Sequence, residues 1–129
     1  MPSLFLIFNH IFTEEQKEDA REKLKINNFI NMPDNLKIIW ANIPPELDSI
    51  SDFINPIKQW VLESSRPKDF VLIQGDFGAC YLMVNFALKN DLVPIYATSK
   101  RQAKEDILPD GSIRLLHYFK HYGFRKYGL

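Results

Sequence analysis

The chain is poor in cysteine: Cys80 stands alone among 129 residues, so no intrachain disulfide can form. There is no Cys/His cluster at zinc spacing, and neither a metal nor a cofactor is expected. No apolar run reaches the 18 residues that a membrane-spanning helix needs. The N-terminus carries no basic segment ahead of an apolar one, so the expected location is cytoplasmic, with no membrane partner. Neither a Walker A sequence nor G-x-G-x-x-G occurs, so no standard nucleotide fingerprint is present. There is also no Ser-His-Asp order around a nucleophile elbow, and no paired carboxylates at obvious strand ends. A net charge is lacking too, with 16 Lys+Arg against 16 Asp+Glu. That balance argues against a broad polycationic face for long duplex nucleic acid.

What is present is ordinary for one globular domain: 46% hydrophobic and 25% charged residues, in a length that forms a sizeable core without staples. The zero charge is a cancellation. Residues 1–65 hold 6 Lys+Arg and 10 Asp+Glu, net −4, and residues 66–129 hold 10 and 6, net +4. From Arg114 onward there are four bases (Arg114, Lys120, Arg125, Lys126), two histidines and no acid. Such asymmetry points to an anionic ligand.

Ser3–Phe8 is a continuous apolar run, the pattern of a strand buried on both faces. Thr13-x-x-Gln16 is a capping box, with Glu14 and Glu15 suited to the first turn of a surface helix over about 14–25. Asn28–Met32 predicts a short strand ended by Pro33, and Asp34 an N-cap. Leu36, Ile39, Trp40 and Ile43 give the i, i+3, i+4, i+7 face of a helix closed by Pro44-Pro45. A second helical pattern runs from Leu47 to Val61, with a kink or restart at Pro56. Phe70–Ile73 is the clearest strand, and Ala79–Leu88 reads as a buried helix, apolar almost all round. Val93–Ala97 predicts a fourth strand. Ser99-x-x-Gln102 predicts a second capping box and a short helix to about Ile107. After a Pro109-Asp110-Gly111 turn, Ile113–Phe119 predicts a fifth strand that the basic aromatic tail continues. The alternation predicts an α/β fold: a Rossmann-like three-layer domain with a mostly parallel five- or six-stranded sheet.

In open α/β sheets, ligands bind beyond the carboxyl ends of the strands. That rule selects Asn9, His10 and Thr13 after the first strand. It selects Gln74, Gly75, Asp76, Phe77, Gly78 and Ala79 after the central strand, and Thr98, Ser99, Lys100 and Arg101 after the fourth. Two glycines ahead of a helix suit close approach of a phosphate to backbone N–H groups, or a tight turn and nothing more. Asp76 suits a ribose hydroxyl better than a phosphate. Phe77 suits a base, or simply covers the core. Cations at the first positions of a helix oppose its macrodipole, so Lys100 and Arg101 either meet a bound anion, are salt-bridged elsewhere, or are an exposed pair tolerated at small cost. His10 is the natural proton-transfer group, or else a hydrogen-bonded structural residue. In the tail, bases interleaved with aromatics suit phosphate and base contacts, or form an edge strand or a dimer interface.

Taken together, Met1–Thr13, Val71–Ala79, Ala97–Arg101 and Phe119–Tyr127 resemble a small Csx-type CRISPR accessory family, number twenty in that naming series, found with type III CRISPR systems. The resemblance implies a CARF-like homodimer. Its ligand is a cyclic oligoadenylate, with cyclic tetra-adenylate favoured, lying across the two-fold axis. It also implies a ring nuclease that linearises this messenger without a metal: a ribose 2′-hydroxyl attacks the adjacent phosphate and leaves a 2′,3′-cyclic phosphate. His10, Asn9 and Asp76 are then the expected catalytic residues. Thr13, Gln74, Gly75, Phe77, Gly78, Ala79, Thr98, Ser99, Lys100, Arg101 and Arg125 are the expected substrate contacts. A module that senses or sequesters the ring without cutting it is the alternative. A small Rossmann-like protein acting on another nucleotide or anion is a third reading.

Overall fold

Strand β1 (Ser3–Ile7) is central because its alternate side chains are apolar on both faces. In the computed structural model, which describes residues 1–129, Leu4, Leu6 and Phe8 join one core cluster, and Phe5 and Ile7 join another. Five strands are present: β1, β2 (Asn28–Asn31), β3 (Phe70–Ile73), β4 (Val93–Ile107) and β5 (Ile113–Lys126). Their order in the sheet is β2-β1-β3-β4-β5; the first four are parallel and β5 runs antiparallel to β4.

Helix α1 (Glu14–Lys23) covers one face through Ala20, packed with Leu6, Phe12, Ile26, Leu72 and Ile95. Helices α2 (Asp34–Ala41), α3 (Asn55–Ser64) and α4 (Phe77–Lys89) cover the other with Leu36, Trp40, Ile57, Val61, Ala79, Met83 and Ala87. The result is the Rossmann-like three-layer α/β arrangement expected from the pattern, with five strands. No helix is long and apolar enough to cross a membrane.

The first capping box forms as the sequence predicts: Gln16 N donates to Thr13 Oγ1 at 3.2 Å and Thr13 N donates to Gln16 Oε1 at 2.9 Å. The helical pattern expected from Leu47 is corrected: residues 45–54 hold only turns, and α3 begins at Asn55 with Pro56 in its first turn, where its missing N–H costs nothing. Asp34 is not the cap of α2; Pro33 holds that position and Asp34 is the first helical residue.

Two expectations are corrected. Helix α4 is buried along one face only: Phe77, Tyr81 and Leu88 are 95%, 69% and 55% exposed. No further layer lies outside it, so its apolar outer side has no partner within the chain. The second correction is larger. Ser99–Ile107 is strand and not a capped helix. Thirteen consecutive residues of β4, Ile95–Ile107, pair with β5 around the Leu108–Ser112 turn. A helix of nine residues is marginal by itself, and Gln102 and Asp106 instead find cross-strand partners in Tyr118 and Arg114. Lys100 and Arg101 therefore face no helix dipole. Strand β3 pairs with β4 only over Val93–Ile95. Beyond a bulge at Thr98/Ser99, the two strands leave the sheet as a ribbon.

Candidate functional site

The chain passes from β1 to β2 on one side and returns to β3 on the other. The crevice between the carboxyl ends of β1 and β3 is the place where such sheets bind ligands. Gln74 follows β3 there. Its side-chain Oε1 accepts from Ala97 N at 2.8 Å, and its backbone carbonyl accepts from Trp40 Nε1 at 2.9 Å. The residue is thereby fixed between two cavities.

On the α1 side lies a polar cavity of about 650 Å³. Thr13, Glu15, Gln16, Gln74, Thr98, Ser99 and Gln102 line it, with Tyr118, Phe119, Lys120 and His121 from β5. Thr98 is itself held, its hydroxyl donating to Gly123 O at 3.0 Å. On the α4 side lies a mainly apolar cavity of about 440 Å³, lined by Gly75, Phe77, Cys80, Tyr81, Tyr96 and Tyr127 among others. Four of the expected residues (Thr13, Gln74, Thr98, Ser99) meet in the polar cavity, and Gly75 and Phe77 meet Gln74 in the apolar one.

Other expected residues are placed elsewhere. Asn9 and His10 are exposed and line a third cavity of about 910 Å³, with Lys17, Arg21 and Lys37. Asp76 caps α4, its carboxylate accepting from Ala79 N at 3.0 Å. That bond occupies one of the backbone donors expected for phosphate. Gly78 packs close to the same carboxylate, and Ala79 is buried in the core. Lys100 stands over the Tyr122 ring at 5.9 Å, Arg101 lies opposite Phe119, and Arg125 donates to Tyr96 Oη at 2.8 Å. None of these three lines a cavity described above.

The sequence reading missed a buried ionisable pair. His121 Nε2 and Asp19 Oδ2 are 2.8 Å apart, with only 8% and 12% of their side chains exposed. Lys23 Nζ lies 3.3 Å from the other Asp19 oxygen. His121 Nδ1 is buried without a partner. Sequence could not show this pairing because it spans 102 positions, although the acid-free run of bases around His121 marked the region. In the apolar cavity, burial pushes the Cys80 thiol up, and the Asp76 charge adds to this, so Cys80 stays a thiol. Burial, with Cys80 and Tyr96 nearby, raises the Tyr127 phenol to about 12, and Tyr127 Oη donates to Ile73 O. No group of three or more His, Cys, Asp and Glu side chains is placed to hold a metal ion.

Fold and site thus define a three-layer α/β domain with a polar crevice at its topological switch point and an antiparallel ribbon leading out of its sheet. The chain belongs to the family described as the uncharacterized protein MJ1673 family, which matches residues 2–125. A relative described as uncharacterized protein MJ1673, from Methanocaldococcus jannaschii, is 51% identical over 127 residues, covering 98% of both chains. No solved structure matches.

Proposed function

We propose that the chain is a ring nuclease that binds a cyclic oligoadenylate, cyclic tetra-adenylate first, and opens it without a metal. The observation that carries this reading is the polar cavity beside the switch point, where side chains from the end of β3, the middle of β4 and β5 and the start of α1 converge. Thr13, Thr98, Ser99, Gln102 and the Gln74 amide suit ribose hydroxyls and phosphate oxygens; Lys120 brings a cation for phosphate, and Glu15 a carboxylate that suits a ribose hydroxyl. A cavity of about 650 Å³ suits one drug-sized ligand and is small for a four-nucleotide ring, which supports sharing the ring between two copies.

Chemically, the ribose 2′-oxygen attacks the adjacent phosphorus, the O2′–P bond forms and the P–O5′ bond breaks. Water protonates the leaving 5′-oxygen. In-line positioning and stabilisation of the phosphorane charge supply most of the rate. His121, oriented by Asp19, takes the 2′-proton in this reading when the wall opens at Nδ1. His10 lies in another cavity and serves less well.

Sequestration without cleavage is the second reading. It is favoured by the capping roles of Thr13 and Asp76, which leave few free catalytic groups.

The test is incubation with cyclic tri-, tetra- and hexa-adenylate, with and without EDTA, followed by chromatography. Linear product in EDTA is expected. Binding without product supports sequestration, and neither binding nor product overturns both readings.

A further inference from the structure

The ribbon beyond Ser99 is amphipathic. Residues directly opposite in an antiparallel pair share a face, and successive residues alternate. One face therefore carries Lys100 with Lys120, Gln102 with Tyr118, Lys104 with Leu116 and Asp106 with Arg114. That face is closed on itself: Tyr118 Oη donates to Gln102 at 2.8 Å, and Arg114 pairs with Asp106 at 2.7 Å.

The other face carries Arg101 with Phe119, Ala103 with His117, Glu105 with Leu115 and Ile107 with Ile113. Here Phe119, Leu115, Ile107 and Ile113 are 73%, 59%, 75% and 63% exposed. At those exposures four such side chains present roughly 500 Å² of apolar surface, near the upper end of what a monomer leaves open. A two-stranded ribbon with no third strand is at best marginally stable in water. Arg101, Glu105 and His117 make none of the hydrogen bonds or ion pairs that lock the opposite face.

We infer that this face is an arm that packs against the same face of a second copy, in antiparallel sense, about a two-fold axis through the Ala103–His117 pair. The pattern is self-complementary about that point. Two positions to one side lie Arg101 and Phe119, and two to the other lie Glu105 and Leu115. The axis sets Arg101 against the partner's Glu105, and Phe119 against the partner's Leu115, each twice. Small Ala103 at the centre lets the backbones approach. The apolar patch plus Arg101, Glu105 and His117 comes to about 800 Å² per copy, the size of a standard specific interface. The same axis points the partner's Ile107 and Ile113 towards the end of the face that α1 borders, where Asp19 already covers His121. This gives the homodimer of the proposed function a location, and it stands independently of what the cavity binds.

The test is sedimentation velocity on the full chain without ligand, from about 1 to 200 µM. The wild type is expected to reach twice 15.1 kDa. R101E places two acids together across the axis and E105R two bases, so each alone is expected to weaken association at least tenfold. An equimolar mixture of the two restores both pairs and should dimerise, as should the double variant R101E/E105R. Both substitutions are at exposed positions, so folding is not at stake. A monomeric wild type overturns the inference, as do single variants that dimerise like wild type or a mixture that stays monomeric. A dimer that obeys the charge rules but cleaves no cyclic oligoadenylate leaves the arm standing and removes only the nuclease.

Discussion

Gly75→Ala tests how the switch point is built. A Cβ at Gly75 would lie 2.7 Å from Trp40 Nε1, 3.0 Å from Cε2 and 3.2 Å from Cζ2. Trp40 is 2% exposed, and its Nε1 donates to the Gln74 carbonyl. The indole cannot retreat into solvent; it must move within a packed core, at about 1–3 kcal/mol for overpacking. If the indole N–H loses its acceptor, the buried donor costs about 1–3 kcal/mol more. Together these come to about 2–6 kcal/mol, which at this chain length lowers Tm by roughly 10 °C or more. Thermal melts by circular dichroism measure it. Gly111→Ala is the control: Gly111 has φ +86° but no atom within 4 Å of its added Cβ. It should therefore lose only about 1–2 kcal/mol, from backbone strain. Trp40→Phe removes the clashing edge, so Gly75→Ala in that background should cost at least about 1 kcal/mol less. A Tm drop under about 3 °C for Gly75→Ala, or no coupling to Trp40, refutes the reasoning.

Other outcomes follow from the same geometry. Asp76→Ala should cost about 1 kcal/mol through loss of the α4 cap, read in the same melts. Asp76→Asn should keep most of both stability and cleavage, because an amide oxygen still caps; a collapse of cleavage alone would return Asp76 to the chemistry. His121→Ala should slow single-turnover cleavage of cyclic tetra-adenylate by about a hundredfold, and His10→Ala by no more than about twofold; the reverse order would move the acid–base role back to His10. In a spectrophotometric titration, one of the five tyrosines should ionise late, near pH 12, and Tyr127→Phe should abolish that step. Because the folded value is raised above the ordinary 10, the stabilisation linked to this phenol is complete below about pH 10. It is lost as pH climbs through about 12.

What the sequence shows of this fold divides along the line between local and distant signals. The burial of β1 on both faces and the Thr13–Gln16 box are set by neighbours within four residues, and each is as read; of the helical pattern from Leu47 only the part from Asn55 forms, behind Pro56. Part of the crevice is legible from the strand ends: Thr13 follows β1 and Gln74 follows β3. Thr98 and Ser99 line it for another reason, because β4 does not end at Ala97 but continues through them to Ile107. His121 and Asp19 were not found, because only the antiparallel return of β5 beside α1 brings them together.

The Ser99–Ile107 segment shows how a local signal can mislead. Ser-x-x-Gln satisfies a capping box, yet a box acts only where a helix follows, and helices this short draw their stability from a buried face. Arg101, Ala103, Glu105 and Ile107 have no helical apolar face. They alternate instead with Gln102, Lys104 and Asp106, whose partners lie across the turn in β5. The alternation is weak because the strand is charged on both sides, and it gains meaning only when Phe119, His117, Leu115 and Ile113 are set opposite. Charge at Arg101 and Glu105 then no longer speaks against a buried face. At equal distances from Ala103 and opposite in sign, these two residues are what an interface with a copy of itself requires, and a monomer has no comparable use for that symmetry.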